Sequence, residues 1–360
     1  MRSNKLKLLI GVSFATLAFA VVVNGQANWL ERERKLIRPT STSPFSLARL
    51  LRHQSSQTFP VDMSGVWQSL GITPGDFETC QGECEAKIFR TELDNSSGRE
   101  VILELTRLWN VRRFLVYKKG NAGSPRWKFL GYVDHDFNRY WMAEHRVVRA
   151  FGKNWLVIRG QEGSGSGYYL NGDTWFEVNK KGVRPVLHYS VDGLTDAGIG
   201  GLNWKLKSRP VAVGGARAPT IRLRFVVYYT AQAFEDFSFT RRFVNRRDAY
   251  YGWNKRSRQF VFSGRPSTIS EYEMNLVANV ETEPSSENGG VKIGGSTFFS
   301  SLKGFVGSGY EMFLRLNAPK LVKIARSRDG QSKVWLGKFL TQCEDIPEKL
   351  AIEKALQEKL

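Results

Sequence analysis

Arg241–Arg258 reads RRFVNRRDAYYGWNKRSR, the stretch of this chain where cations and aromatic rings coincide most closely. Guanidinium and ammonium groups neutralise phosphate or uronate oxygens, and aromatic faces stack on bases or sugar rings. The chemistry on offer is therefore the holding of an anionic polymer. Arg246, Arg247, Tyr251, Trp253 and Arg256 are the residues expected to carry it. An exposed β-hairpin of a basic protein has the same composition, so tertiary placement must separate the two readings.

A second constellation is acidic. Asp134, His135 and Asp136 are followed ten residues on by Glu144 and His145. Carboxylates and imidazoles are the groups a metal site or near-neutral acid–base chemistry requires. Asp134, Asp136, Glu144 and His145 are thus the set that a metal-assisted or acid–base hydrolase would use. Strand alternation opposes a shared site, because it sets His135 across the sheet from Asp134 and Asp136. YVDHDFNRY reads more simply as a strand end and an acidic turn. His188, in RPVLHYS, reads as a strand histidine.

Gly163–Val178, GSGSGYYLNGDTWFEV, has the look of a phosphate-cradling loop. It lacks the lysine of a P-loop, the third glycine of a dinucleotide fingerprint and the frame of a nucleophile elbow. Asn171-Gly172 is instead a strong two-residue hairpin signal, since a type I′ turn needs φ > 0 at both central residues. That turn would set Tyr168 opposite Trp175. The chain carries no cofactor motif and no specific nucleic-acid signature.

The chain has three cysteines. Cys80 and Cys84 are spaced to close a small disulfide loop in an oxidising compartment, with free thiols as the other state open to them. Further ligands for zinc are missing nearby, and the spacing is not the redox C-x-x-C. Cys343 is left without a partner, either buried or available between chains. Asn95-Ser96-Ser97 is a formal glycosylation sequon.

These groups need elements to hold them. In the 360 residues, 53 Lys and Arg stand against 34 Asp and Glu, a formal charge of +19, while 41% of residues are hydrophobic. That is a globular composition with a surface attractive to polyanions, though exported proteins are often basic without any such partner. Met1–Lys7 is basic, Leu8–Val23 is apolar, and Gly25 and Ala27 supply the small residues of a signal-peptidase site. A secretory signal over 1–27, cleaved after Ala27, is the expectation. A retained membrane anchor is the alternative, although the apolar run is shorter than the roughly twenty residues that span a bilayer.

Residues 28–60 form a basic linker with a short helix whose N-cap is Ser43. From 61 to 345, short runs rich in Val, Ile, Phe, Tyr and Trp alternate with turns, as in EVILELTRLW and IRLRFVVYYTA. Their period of two predicts a mainly β domain of antiparallel sheets, a sandwich or propeller-like. YEMFLRL, LVKIAR and KVWLGKFL are read into the same strand pattern. A glycine-dense seam near 195–219 and a polar stretch over 281–296 interrupt it. Ser270 and Glu273 make a capping box, and 346–360 is an amphipathic C-terminal helix. The expectation is an exported, non-enzymatic protein that binds an anionic polymer, a membrane or a cell-wall surface. A hydrolase and a structural or assembly subunit are the alternatives.

Overall fold

A computed structural model describes residues 59–61, 84–94, 99–108, 111–119, 127–136, 144–165, 167–195, 201–233, 236–273, 290–293 and 298–358. The expected signal segment, the linker helix, Cys80 and the core of the sequon lie outside the described residues.

The β reading holds. Strands β1 (Phe59–Val61), β2 (Cys84–Thr91), β3 (Glu100–Leu108), β4 (Val111–Lys119), β5 (Trp127–Asp136) and β14 (Gly290–Ile293) form one sheet in the order 1-2-3-4-5-14. Its neighbours are antiparallel except β14, which joins β5 in parallel from within the polar 281–296 stretch. The second sheet runs β6 (Glu144–Ala150), β7 (Lys153–Gly165), β8 (Tyr168–Asn179), β9 (Gly182–Thr195), β10 (Leu202–Val213), β11 (Thr220–Ala233), β12 (Asp236–Asn254) and β13 (Gln259–Ser263), each antiparallel to the next. The glycine-dense 195–219 stretch contains β10, which hydrogen-bonds to both β9 and β11.

The sheets meet over the β6–β9 end of the second. Ile102, Phe114, Val116 and Val133 of the first sheet pack with Leu156, Ile158, Phe176 and Val178 of the second in one buried cluster. The other face of the second sheet carries the larger core. Val157, Trp175, Leu206, Leu223, Phe225 and Tyr229 pack there with helices α1 (Phe298–Ala325), α2 (Gly330–Leu340) and α3 (Pro347–Gln357). This sheet curves around that core. Trp253 and Phe260, from the β12–β13 end, lie 5.9 and 5.8 Å from Trp155 of β7. Arg258 of the β12–β13 turn reaches Glu177 of β8 at 2.5 Å. The helices fill the concave side, so the face of β10–β12 away from them is convex.

Two sequence expectations are overturned here. The runs around 310–340 are helical, not strands. Tyr310, Phe313, Leu314, Leu321 and Ala325 are all buried, a 3.6-residue stripe that a five-residue window cannot tell from strand alternation. Aromatic packing anchors them, with Phe313 edge-on to both Tyr229 and Phe243 at 5.1 Å. The C-terminal helix is present as α3. The capping box also forms, with the Ser270 backbone N–H and hydroxyl both donating to Glu273 Oε2 at 2.8 Å.

The hairpin turn is the second correction. Gly165 pairs with Tyr168, so the chain reverses between them, and Gly167 has φ of 79°. Asn171-Gly172 lies inside β8, beside bulges, and Trp175 pairs with Val157 and Leu187 rather than facing Tyr168. A turn at Asn171 would leave only three residues to pair before the glycines. The observed turn pairs both long arms, and it keeps Phe176 with Leu156 on the sheet-facing side and Trp175 with Val157 on the helix-facing side. Burial of two apolar rows outweighs a local turn preference.

Candidate functional site

Strand alternation divides the basic-aromatic segment of β12 between two faces. Arg246 is exposed and stands opposite Val226 of β11. Arg247 stands opposite Phe225, whose side chain is core, and donates from Nη1 to the Arg246 carbonyl at 3.0 Å. Tyr251 and Trp253 are on the core side as well. Tyr251 meets Phe262 edge-on at 5.8 Å, and Trp253 meets Phe260 at 5.0 Å. Burial pushes the Tyr251 phenol up to about 12. Arg256 lies in the exposed β12–β13 turn, where its backbone N–H donates to Asn254 Oδ1 at 2.9 Å. Arg246 and Arg256 thus reach solvent, while the two rings are partly buried and pack against the core.

What gathers around Arg246 on the convex face comes from two neighbouring strands. β10 contributes Lys205, Lys207 and Arg209, each exposed, on the parity opposite to buried Leu206. β11 contributes Arg222 and Arg224, opposite in parity to Ile221, Leu223 and Phe225. β12 adds Arg242. The ladder sets Arg209 directly opposite Arg224, Lys207 opposite Val226, and Lys205 opposite Tyr228. On the other side of β11, Arg222 faces Tyr250, Arg224 faces Asp248, and Tyr228 faces Val244. Tyr228 is 42% exposed and Val244 38%. Among the described residues, Asp248 is the one carboxylate on this face of the three strands, and its Oδ1 is 3.7 Å from Arg224 Nε.

The result is a sheet face with seven outward cations, Val226, Tyr228 and Val244 lying among them. Directly opposed like charges, such as Arg209 and Arg224, are destabilising in a ladder by a few tenths of a kcal/mol. The fold tolerates this repulsion because both side chains are solvated, and an anion laid across them would relieve it. The signal was present in the sequence as NWKLKSR and IRLRF, where cations fall on alternate residues. It was legible as strand alternation but not as a site, because β10 and β11 are joined only in the folded sheet.

The acidic constellation is distributed differently. Glu144 is exposed and pairs with Arg159, whereas His145 shares the sheet-packing parity of its partner Ile158. The half-buried His145 ring packs against Phe89 and Phe114, with centroids 4.0 and 5.7 Å away, and Nδ1 is 3.5 Å from Glu104 Oε2. Asp134 and Asp136 fall in β5, paired with Arg113 and Val111, and their side chains lie outside the described residues. Glu144 and His145 therefore do not address one cleft. His188 makes a 2.7 Å hydrogen bond with Thr174 in the strand ladder. Among the described residues, no group of three or more His, Cys, Asp or Glu side chains is placed to hold a metal.

One charged cluster was not foreseen. Asp173 is fully buried on β8 and accepts from Arg159 Nε at 2.8 Å, from the Tyr189 hydroxyl at 3.1 Å and from Arg146. Trp175 Nε1 in turn donates to the Tyr189 oxygen at 3.2 Å. Burial and the Asp173 charge hold the Tyr189 phenol well above its ordinary range. Every polar atom of Asp173 is satisfied within the sheet, which is the arrangement of a structural ion pair. Cys343 is buried, its Sγ 3.6 Å from the Phe339 carbonyl, and desolvation pushes its thiol up to about 12. Such a thiol is inert and is not presented to another chain.

No family model, curated protein or solved structure matches the chain. Among the described residues, no helix is long and apolar enough to cross a membrane.

Proposed function

We propose that this is an exported, non-enzymatic binding protein whose convex β10–β12 face holds an anionic polymer or surface. The observation that carries the reading is the ladder itself. Lys205, Lys207, Arg209, Arg222, Arg224, Arg242 and Arg246 share one face with a single carboxylate among the described residues of those strands. Local concentration of one sign raises both the affinity and the encounter rate for polyanions, in a manner that salt screens.

Retention on immobilised heparin tests it. Replacing Lys205, Lys207, Arg209 and Arg246 with Ser should release the protein at markedly lower salt. An equal-charge control, with Lys323, Lys333 and Lys354 of the helices and Arg328 of the α1–α2 connection replaced, should elute close to the parent. Equal losses in the two variants would mean that net charge alone governs binding, and the face would lose its special role.

A further inference from the structure

The face is not a uniform carpet of charge, and its layout carries the reading above one step further. β11 runs down its middle, and at its centre the outward residues are Val226 and Tyr228. On one side β10 presents Lys205 and Lys207, directly opposite Tyr228 and Val226. On the other side β12 presents Arg246, opposite Val226, and Arg242 two rungs farther along. An apolar lane is thus bordered by two cationic rails. Lys205 and Lys207 stand about 6.8 Å apart along β10, and Arg242 and Arg246 about 13.6 Å apart along β12 with Val244 between them. The two rails are separated by two strand spacings, about 9.5 Å.

That layout discriminates among anionic partners. A bilayer is a plane of charge, and a convex face meets it only along its crest. A single-stranded nucleic acid carries its phosphates along one edge and its bases along the other. It would engage one rail and need a series of aromatic platforms, whereas the lane offers Tyr228 and an aliphatic neighbour. A polysaccharide of linked acidic sugars differs from both. Successive rings in an extended chain turn over, so their acidic groups project alternately to either side, while the apolar ring faces lie along the axis. Guanidinium groups take carboxylates in two-point contact, and a tyrosine ring packs on the C–H face of a sugar.

We infer that the ligand of this face is one extended chain of an acidic polysaccharide, lying lengthwise on β11 between the two rails. The inference rests on the binding role proposed above and is tested on the full chain with three probes: polygalacturonate, a poly-dT oligonucleotide and phosphatidylglycerol vesicles. Polygalacturonate should bind most tightly. K205S/K207S and R242S/R246S should each lower its affinity roughly tenfold and reduce the log–log salt slope by about two. Tyr228→Ser should weaken polygalacturonate a few-fold while leaving the salt slope unchanged, a readout that loss of charge does not mimic. Preference for the oligonucleotide or the vesicles, or a dependence on one rail alone, would overturn the polysaccharide assignment while leaving polyanion binding intact. Failure of all three probes to bind would remove the binding role itself. Circular dichroism of each variant confirms that the exposed replacements leave the fold in place.

Discussion

Arg246 and Arg247 are consecutive in the chain and lie on opposite faces of the same sheet. Arg246 is opposite Val226 in the solvent layer, and Arg247 is opposite Phe225 in the core layer. The strand period of two separates them more completely than many residues of intervening chain would. Replacing each singly with Ser should therefore give unequal results on heparin. Arg246→Ser is expected to lower the eluting salt clearly, and Arg247→Ser to lower it less. Equal shifts would show that binding responds to the segment as a whole and not to the β10–β12 face.

Gly201, just before β10, is a sharp test of the close backbone approach to β11. A Cβ there would lie 1.8 Å from the Gln232 carbonyl oxygen, and the Gly201 carbonyl already accepts from Gln232 N at 2.5 Å. Because the obstacle is backbone, it cannot swing aside, and Gly201→Ala should destabilise the protein by about 2–3 kcal/mol. Gly215→Ala, where nothing lies within 4 Å, is the control and should be close to neutral. Urea denaturation of the two variants measures the difference directly.

Asp173 should matter for stability and not for binding. Its carboxylate is fully buried while Arg146 and Arg159 remain more than a third exposed, so those guanidiniums can rehydrate when it is removed. Asp173→Ala is expected to cost about 2–3 kcal/mol, below the value for a fully buried pair, with heparin retention of the folded fraction unchanged. A large loss of retention in a fully folded variant would instead give this cluster a part in ligand binding.

Alkaline pH should unfold the protein progressively. The Cys343 thiol moves from an ordinary value of 9.0 to about 12, and the Tyr310 phenol from 10.0 to about 12, both through burial first. Each folded-state value is raised, so the native state keeps protons that the unfolded chain releases. The associated stability is complete below about pH 9 and is lost as pH rises toward 12. Denaturant midpoints measured from pH 8 to 11.5 should fall steadily. Cys343 should stay unreactive to a thiol reagent until that transition begins; prompt labelling at neutral pH would contradict its burial.

The proposed export has a direct chemical readout. N-terminal sequencing of the mature protein should begin at Asn28, the residue after the expected cleavage site. Retention of Met1 on a membrane-associated form would favour the anchor reading.

Local patterns survived folding wherever the signal and the burial demand agreed. IRLRF became a strand with Leu223 and Phe225 inside and Arg222 and Arg224 outside, and Ser270 capped its own backbone turn through Glu273. They failed where a longer-range demand opposed them. Asn171-Gly172 was drawn into the middle of β8 by the pairing of two long arms, and the runs over 310–340 wound into helices because their apolar stripe had a sheet to cover. The binding segment was located in part. Its cations on β12 were legible, but its rings turn to the core side and pack against it, and its partners on β10 and β11 were not connected to it.

By itself, the sequence determined the excess of positive charge, the β period, the C-terminal helix and the two-sidedness of each strand, because these depend on composition and on neighbours along the chain. Only the tertiary structure decided which face of each strand met solvent, and that β10, β11 and β12 would lie side by side. Those choices depend on where the helices pack and on which ladder register buries the most apolar surface, a competition among distant segments that no local window contains. The cationic face is its product: alternate residues of three strands, from Lys205 to Arg246 along the chain, were brought onto one surface when their apolar neighbours were buried on the other.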